Sequence, residues 1–121
     1  MTGRVEQFEA LFPRIEIDLH GDSFLSYGET KRIDCRVFRG WEDVTDRVVG
    51  WTVTRDTGSP QDDAAWQLKP KVKNFSGSID ICFTDAENDL GTNDYVMSTL
   101  FTFKATIGSG DEESATYQLT I

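Results

Sequence analysis

The chain has 121 residues, one domain's worth of length. Its 8 Phe, 3 Trp and 3 Tyr are too many apolar rings for a disordered chain. Twelve Lys and Arg against 21 Asp and Glu leave a net charge of −9, which repels phosphate and argues against nucleic acid and anionic membranes as partners.

A single His and two Cys are too few for a zinc site, a haem site or a disulfide framework, and no cofactor is expected. The N-terminal run to Pro13 is interrupted by Glu6 and Glu9, so it lacks the apolar core of a signal peptide. No stretch approaches the ~20 apolar residues of a membrane span. The expectation is synthesis in a cytoplasm without export signal or membrane insertion, with virion association as the route out. Residues 1–12 read as a leader, either a short helix through Val5, Phe8 and Leu11 or a disordered segment. Residues 13–121 read as one domain.

Period-2 alternation dominates that domain. Residues 14–20 put Ile15, Ile17 and Leu19 on one face and Glu16 and Asp18 on the other. Residues 31–39 turn Ile33, Cys35 and Val37 inward, and residues 48–55 turn Trp51 and Val53 inward. Ile79, Ile81 and Phe83 define a strand over 78–84. Phe101, Phe103, Ala105 and Ile107 define one over 99–107, and Tyr117, Leu119 and Ile121 one over 114–121. A seventh strand is expected near Phe24–Tyr27 or near Leu68–Val72. Turn residues separate the runs, and Gly108-Ser109-Gly110 suits a closing hairpin. The fold class is therefore all-β, an immunoglobulin-like antiparallel sandwich of about seven strands.

Two loops carry capping signals for single helical turns, Ser59-Pro60-Gln61-Asp62 and Thr84-Asp85-Ala86-Glu87. The order Cys35, Trp51, Cys82 is that of an immunoglobulin core, but parity opposes a disulfide. Cys35 points inward with Ile33 and Val37, whereas Cys82 alternates with Ile81 and Phe83 and points outward. One buried thiol, one surface thiol and a core Trp51 are expected.

Asp85, Glu87 and Asp89 resemble the first half of an EF-hand loop. Leu90 stands where its glycine belongs and Val96 where its bidentate glutamate belongs, so a solvated loop is expected, with a looser calcium site through Asp94 the alternative. Asp56, Asp62 and Asp63 are read as solvated too. His20 ends the first strand on its polar face with neither a nucleophile elbow nor a phosphate loop in the chain. No catalytic residue and no metal ligand is assigned. Trp41, in a turn where burial is difficult, and Tyr95, in the acidic loop, are the candidate ligand-binding residues, since an exposed ring can stack on a sugar or anchor a protein contact.

Several segments in order resemble the bacterial Ig-like domains of phage and prophage tail and minor structural proteins. They are Gly28-Glu29-Thr30, the turn from Phe38 through Gly40-Trp41 to Asp43-Val44-Thr45-Asp46, the run from Trp51 to Gly58, Asp62-Asp63-Ala64-Ala65-Trp66, and Ser98 to Phe103. The resemblance runs from Pro13 to the end. It implies a non-catalytic structural or assembly module of a phage-like particle, with other structural proteins of the particle as partners. It also implies Val44 turned inward and Trp66 folded back onto the sandwich. The alternative is a surface-recognition module that binds glycan or protein on a host through Trp41 and Tyr95.

Overall fold

The computed structural model of the chain describes residues 12–23, 25–91, 99–108 and 113–121. Its strands form two antiparallel sheets. The first holds β1 (Pro13–Asp18), β2 (Glu29–Arg39), β3 (Glu42–Asp43) and β5 (Ser78–Phe83). The second holds β4 (Val48–Asp56), β6 (Leu100–Ile107) and β7 (Glu113–Thr120). β2 is the centre of its sheet, with β1 on one side and β5 and then β3 along the other. β6 lies between β4 and β7. The two sheets make an all-β sandwich of seven strands among the described residues, with a helical segment between β4 and β5 in the chain.

The alternating pattern decides which face each strand buries. Ile15, Ile33, Cys35, Val37, Ile79 and Ile81 enter the core from the first sheet. Val53, Phe101, Phe103, Ala105, Ile107, Ala115 and Leu119 meet them from the second. Ile17, Leu19, Phe83, Tyr117 and Ile121, also assigned inward, are half-buried at the margins. Trp51 belongs with them. It is half-buried and packs edge-on against Phe75 at 5.7 Å, while the fully buried tryptophan is Trp66. Trp66 does fold back onto the sandwich, with its ring 5.7 Å from that of Phe101.

The local structure departs from expectation in three places. The seventh strand is the two-residue β3; of the expected Phe24–Tyr27, residues 25–27 form no strand and Phe24 lies outside the described residues. Leu68–Val72 instead runs into a helix, because Pro70 can start a helical turn but cannot donate to a ladder. The signal at Ser59 opens a two-turn helix, α1 (Pro60–Gln67), followed by α2 (Pro70–Lys73). Ser59 makes no side-chain capping bond; Pro60 at the first position and Asp62 and Asp63 in the first turn favour the start. At Thr84 the capping logic holds without a helix. The Thr84 hydroxyl accepts from the Glu87 N–H at 3.0 Å, and the Glu87 carbonyl accepts from the Thr84 N–H at 2.8 Å, closing a turn.

α1 and α2 seal one flank of the sandwich. Gln67 Nε2 donates to the Val53 carbonyl on β4 at 2.8 Å, and Lys71 Nζ donates to the Asp80 carbonyl on β5 at 2.8 Å. Trp66, Val72 and Phe75 are buried beneath.

Both cysteines are free, as their opposite faces require. Cys82 is not a plain surface thiol, however. It is half-buried, and burial raises its pKa, while burial pushes Cys35 up to about 12. Native protein should therefore keep the mass of two thiols. Cys82 should react slowly with a thiol reagent and Cys35 only on unfolding; a native mass short by two protons would contradict the strand faces.

Candidate functional site

Trp41 occupies the tip of the β2–β3 hairpin. Arg39 pairs with Glu42, which leaves Gly40 and Trp41 as the turn. Gly40 takes φ 62°, the positive value a type II′ turn demands of its first residue. The indole is 99% exposed. The hairpin beneath it is braced. Arg14 Nη1 donates to the Gly40 carbonyl at 2.7 Å and its guanidinium lies 5.5 Å from the Phe38 ring centre. The Thr45 N–H donates to Asp43 Oδ1 at 2.9 Å, Arg47 pairs with Glu42 at 3.1 Å, and Val44 is buried. Hydroxyl and backbone bonds from Thr45 hold the Asp43 carboxyl below its usual range. Tyr95, the other candidate, lies outside the described residues, as do Asp94 and residues 1–11 of the leader.

A basin of about 650 Å³ opens on the outer face of the first sheet, lined among others by Glu16, Asp18, His20, Asp34, Arg36 and Phe38. Asp18 and Asp34 stand directly opposite one another on β1 and β2, an unfavourable like-charge pair. His20 bridges them. Its Nε2 is 2.6 Å from Asp34 Oδ2, its Nδ1 is 3.6 Å from Asp18 Oδ2, and its backbone takes φ 55°. The Ser78 hydroxyl donates to Asp34 Oδ1 at 2.5 Å. The Ser78 bond first, and the His20 bond second, hold the Asp34 carboxyl low. This arrangement places the carboxylate between serine and histidine. A Ser–His–Asp nucleophile system needs the imidazole there instead, facing the hydroxyl. Arg36 is exposed at the edge of the basin, and its guanidinium charge acts on the Asp43 carboxyl.

A third cluster lies under Trp66. Asp89, read from sequence as part of a solvated loop, is completely buried. Its carboxylate accepts from Trp66 Nε1 at 2.8 Å, the Cys82 N–H at 2.7 Å and Lys71 Nζ at 2.5 Å, with Lys69 Nζ at 3.5 Å. Its carbonyl accepts from Arg55 Nη1 at 3.2 Å. Arg55 is buried too, 5.4 Å from the Trp66 ring centre, and its Nε donates to Asp63 at 2.9 Å. Asp63 also accepts from the Thr57 N–H and hydroxyl. Burial opposes its ionisation, but the Thr57 and Arg55 bonds outweigh that and lower its pKa. The cluster of Asp56, Asp62 and Asp63 is thus solvated only at Asp56 and Asp62.

Cys82 Sγ, Glu87 and Asp89 present ligand atoms within 4.8 Å of one another, a spacing compatible with a metal ion. Two ammonium groups already serve the carboxylates. Glu87 Oε1 is 3.0 Å from Lys69 Nζ and 3.2 Å from Lys71 Nζ. Lys71, bonded to Asp89, Glu87 and the Asp80 carbonyl, stands where a bound cation would stand. Burial disfavours its charge, but the bonds and charges of Asp89 and Glu87 together outweigh this and raise its pKa. A metal would have to displace it, so the cluster is structural.

Sequence reasoning missed Asp89 because three acids at alternate positions look alike; only Trp66, folded back from α1, and the two lysines behind it distinguish the third. Asp89→Ala should cost about 3–5 kcal/mol, since it strands the Trp66 and Cys82 donors and leaves Lys71 without its closest partner. Glu87→Ala, at a more exposed pair, should cost far less; equal losses in urea unfolding would contradict the assignment.

Lys69 first, and then Lys71, hold the Glu87 carboxyl down at about 2, against an ordinary 4.5. Between those values the unfolded chain binds more protons than the folded one. The contribution is complete above about pH 4.5 and is lost as pH falls towards 2. Glu87→Gln should flatten the acid limb of stability against pH; an unchanged limb would remove Glu87 from it.

No protein-family model matches the chain, and neither a curated protein nor a solved structure is significantly similar to it.

Proposed function

We propose that the chain is a non-catalytic structural or assembly module of a phage- or prophage-type particle, and that it docks on a neighbouring structural protein through the Trp41 hairpin. The observation that carries the docking reading is the fully exposed indole on a hairpin whose backbone is tied down on both sides. A rigid aromatic loses little side-chain freedom when it enters a pocket, and tryptophan is enriched among residues that dominate interface energies. The particle context rests on the resemblance of the turn through Trp41 and the strands around it to phage tail domains.

A second reading is recognition of a surface glycan. The outer basin favours it: Phe38 and Arg36 line it, and Trp41 lies three residues beyond Phe38 on the same chain. Arg and carboxylate side chains together can donate to and accept from sugar hydroxyls, while an aromatic face covers the ring.

Trp41→Ala separates docking from folding. An exposed side chain should change stability by no more than about 0.5 kcal/mol. Any structural protein that co-purifies with the wild-type chain should be lost from the same variant. Retained co-purification would reject the Trp41 docking site. A shift of the wild-type melting temperature by bacterial surface polysaccharide, abolished in Trp41→Ala, would put the glycan reading first.

A further inference from the structure

Each sheet of an open sandwich ends in edges that could pair with another chain, and proteins usually block them with charges, proline, bulges or covering elements. Here most edges carry such a device. β1 begins with Pro13, spans only six residues and alternates Arg14, Glu16 and Asp18 on its exposed face. β4 has a register shift between Val48 and Gly50, and Gln67 of α1 binds its Val53 carbonyl. β5 is bound at the Asp80 carbonyl by Lys71 and at the Cys82 N–H by Asp89. β3 is two residues long.

β7 carries less of this: its one charge, Glu113, stands at its start and is paired with Arg39 of β2. It runs for eight residues in unbroken register with β6, without proline or bulge. After Glu113 it reads Ser-Ala-Thr-Tyr-Gln-Leu-Thr-Ile, with no charge, in a chain carrying −9. Ser114, Thr116, Gln118 and Thr120 are exposed. Among the described residues its backbone pairs with β6 alone; β1 of the other sheet runs beside it without pairing. Among the described residues no helix lies on this flank, and Tyr117 and Ile17 are half-buried along it.

We propose that β7 pairs antiparallel with β7 of a second copy about a two-fold axis at Tyr117, which joins the two second sheets into one continuous sheet. The occupant follows from charge. Two acidic chains can meet only where carboxylates do not face each other, and β7 offers such a strip. A charged peptide would find only Glu113 along it, already paired with Arg39. A two-fold contact is self-complementary, as identical uncharged strands are. Centred on Tyr117, Thr116 meets Gln118 of the second copy and Ser114 meets Thr120, while Glu113 meets Ile121 rather than another acid. Main-chain bonds supply the affinity, as in other strand additions. The pairing does not depend on the Trp41 reading, because the hairpin belongs to the other sheet.

Sedimentation velocity from micromolar to millimolar protein tests this, with thermal melting as the folding control. Wild-type chain should shift from monomer to dimer mass. The doubly substituted Thr116→Lys/Gln118→Lys chain should still fold, melting slightly below wild type because Thr116 stands opposite Lys104 on β6, yet associate roughly tenfold more weakly, because the introduced ammonium groups of the two copies face each other. Thr116→Glu/Gln118→Glu should associate as weakly without that loss in melting, since its carboxylate meets Lys104. An equimolar mixture of the two variants should regain the dimer. Wild type that stays monomeric throughout overturns the proposal. So does a lysine variant that dimerises like wild type, or a mixture that fails to recover. A dimer lost in Trp41→Ala but kept in the β7 variants would place the contact at the hairpin and overturn it equally.

Discussion

The buried carboxylate of Asp89 ties together the parts of this sandwich that its strand pairing does not connect. One oxygen is held by the Trp66 indole from α1; the other is held by the Cys82 amide of β5 and the Lys71 ammonium of α2. A lone ionised carboxylate in that position would be strongly unfavourable. With its donors in place it fixes the helical segment against both sheets. The segment in turn covers the outer edges of β4 and β5. Trp66 then fills the space between sheets where a further strand would otherwise lie, and Arg55 lies against its ring. The sealed flank is therefore one cooperative unit, because each member leaves another's polar group unpaired if it moves.

Charge is distributed unevenly over the remaining surface. The first sheet presents Arg14, Glu16, Asp18, Arg32, Asp34, Arg36 and Asp80 outward, partly paired with one another. The second presents mainly threonine, with Thr52 and Thr54 on β4, Thr102 and Thr106 on β6, and Thr116 and Thr120 on β7. A chain with −9 has places where a like partner is repelled and places where it is not, and the two sheets divide these roles. The exposed Trp41 belongs to the first sheet and β7 to the second, so the two proposed contacts would lie on different sheets.

Most of the framework was legible because a strand's side-chain period is exact. One inward residue fixes the facing of the whole run, and Ile15, Ile33, Val53, Ile79, Phe101 and Leu119 all lie where alternation places them. The same parity separates Cys35 from Cys82 without knowledge of strand order. Trp41 was legible for a related reason. A tight hairpin with glycine at its first turn position holds the next side chain away from the sheet. Of the helices only the start of α1 was legible, since Pro60 marks where a helix begins but gives no measure of how far it continues, and α2 lies where a strand was expected.

By itself, then, the sequence determined the class of fold, the facing of its strands, the reduced state of its cysteines and the exposure of its hairpin tip, all of which follow from local periodicity and turn chemistry. Tertiary structure alone decided which of many acids matters. Asp89 and Asp85 stand in the same loop at the same parity, yet Asp89 is buried among donors from two helices and a strand while Asp85 is exposed. It also decided that α1 and α2, rather than further strands, cover the edges of β4 and β5. Burial and edge protection depend on what arrives from elsewhere in the chain, and no short-range pattern records the approach of a distant side chain.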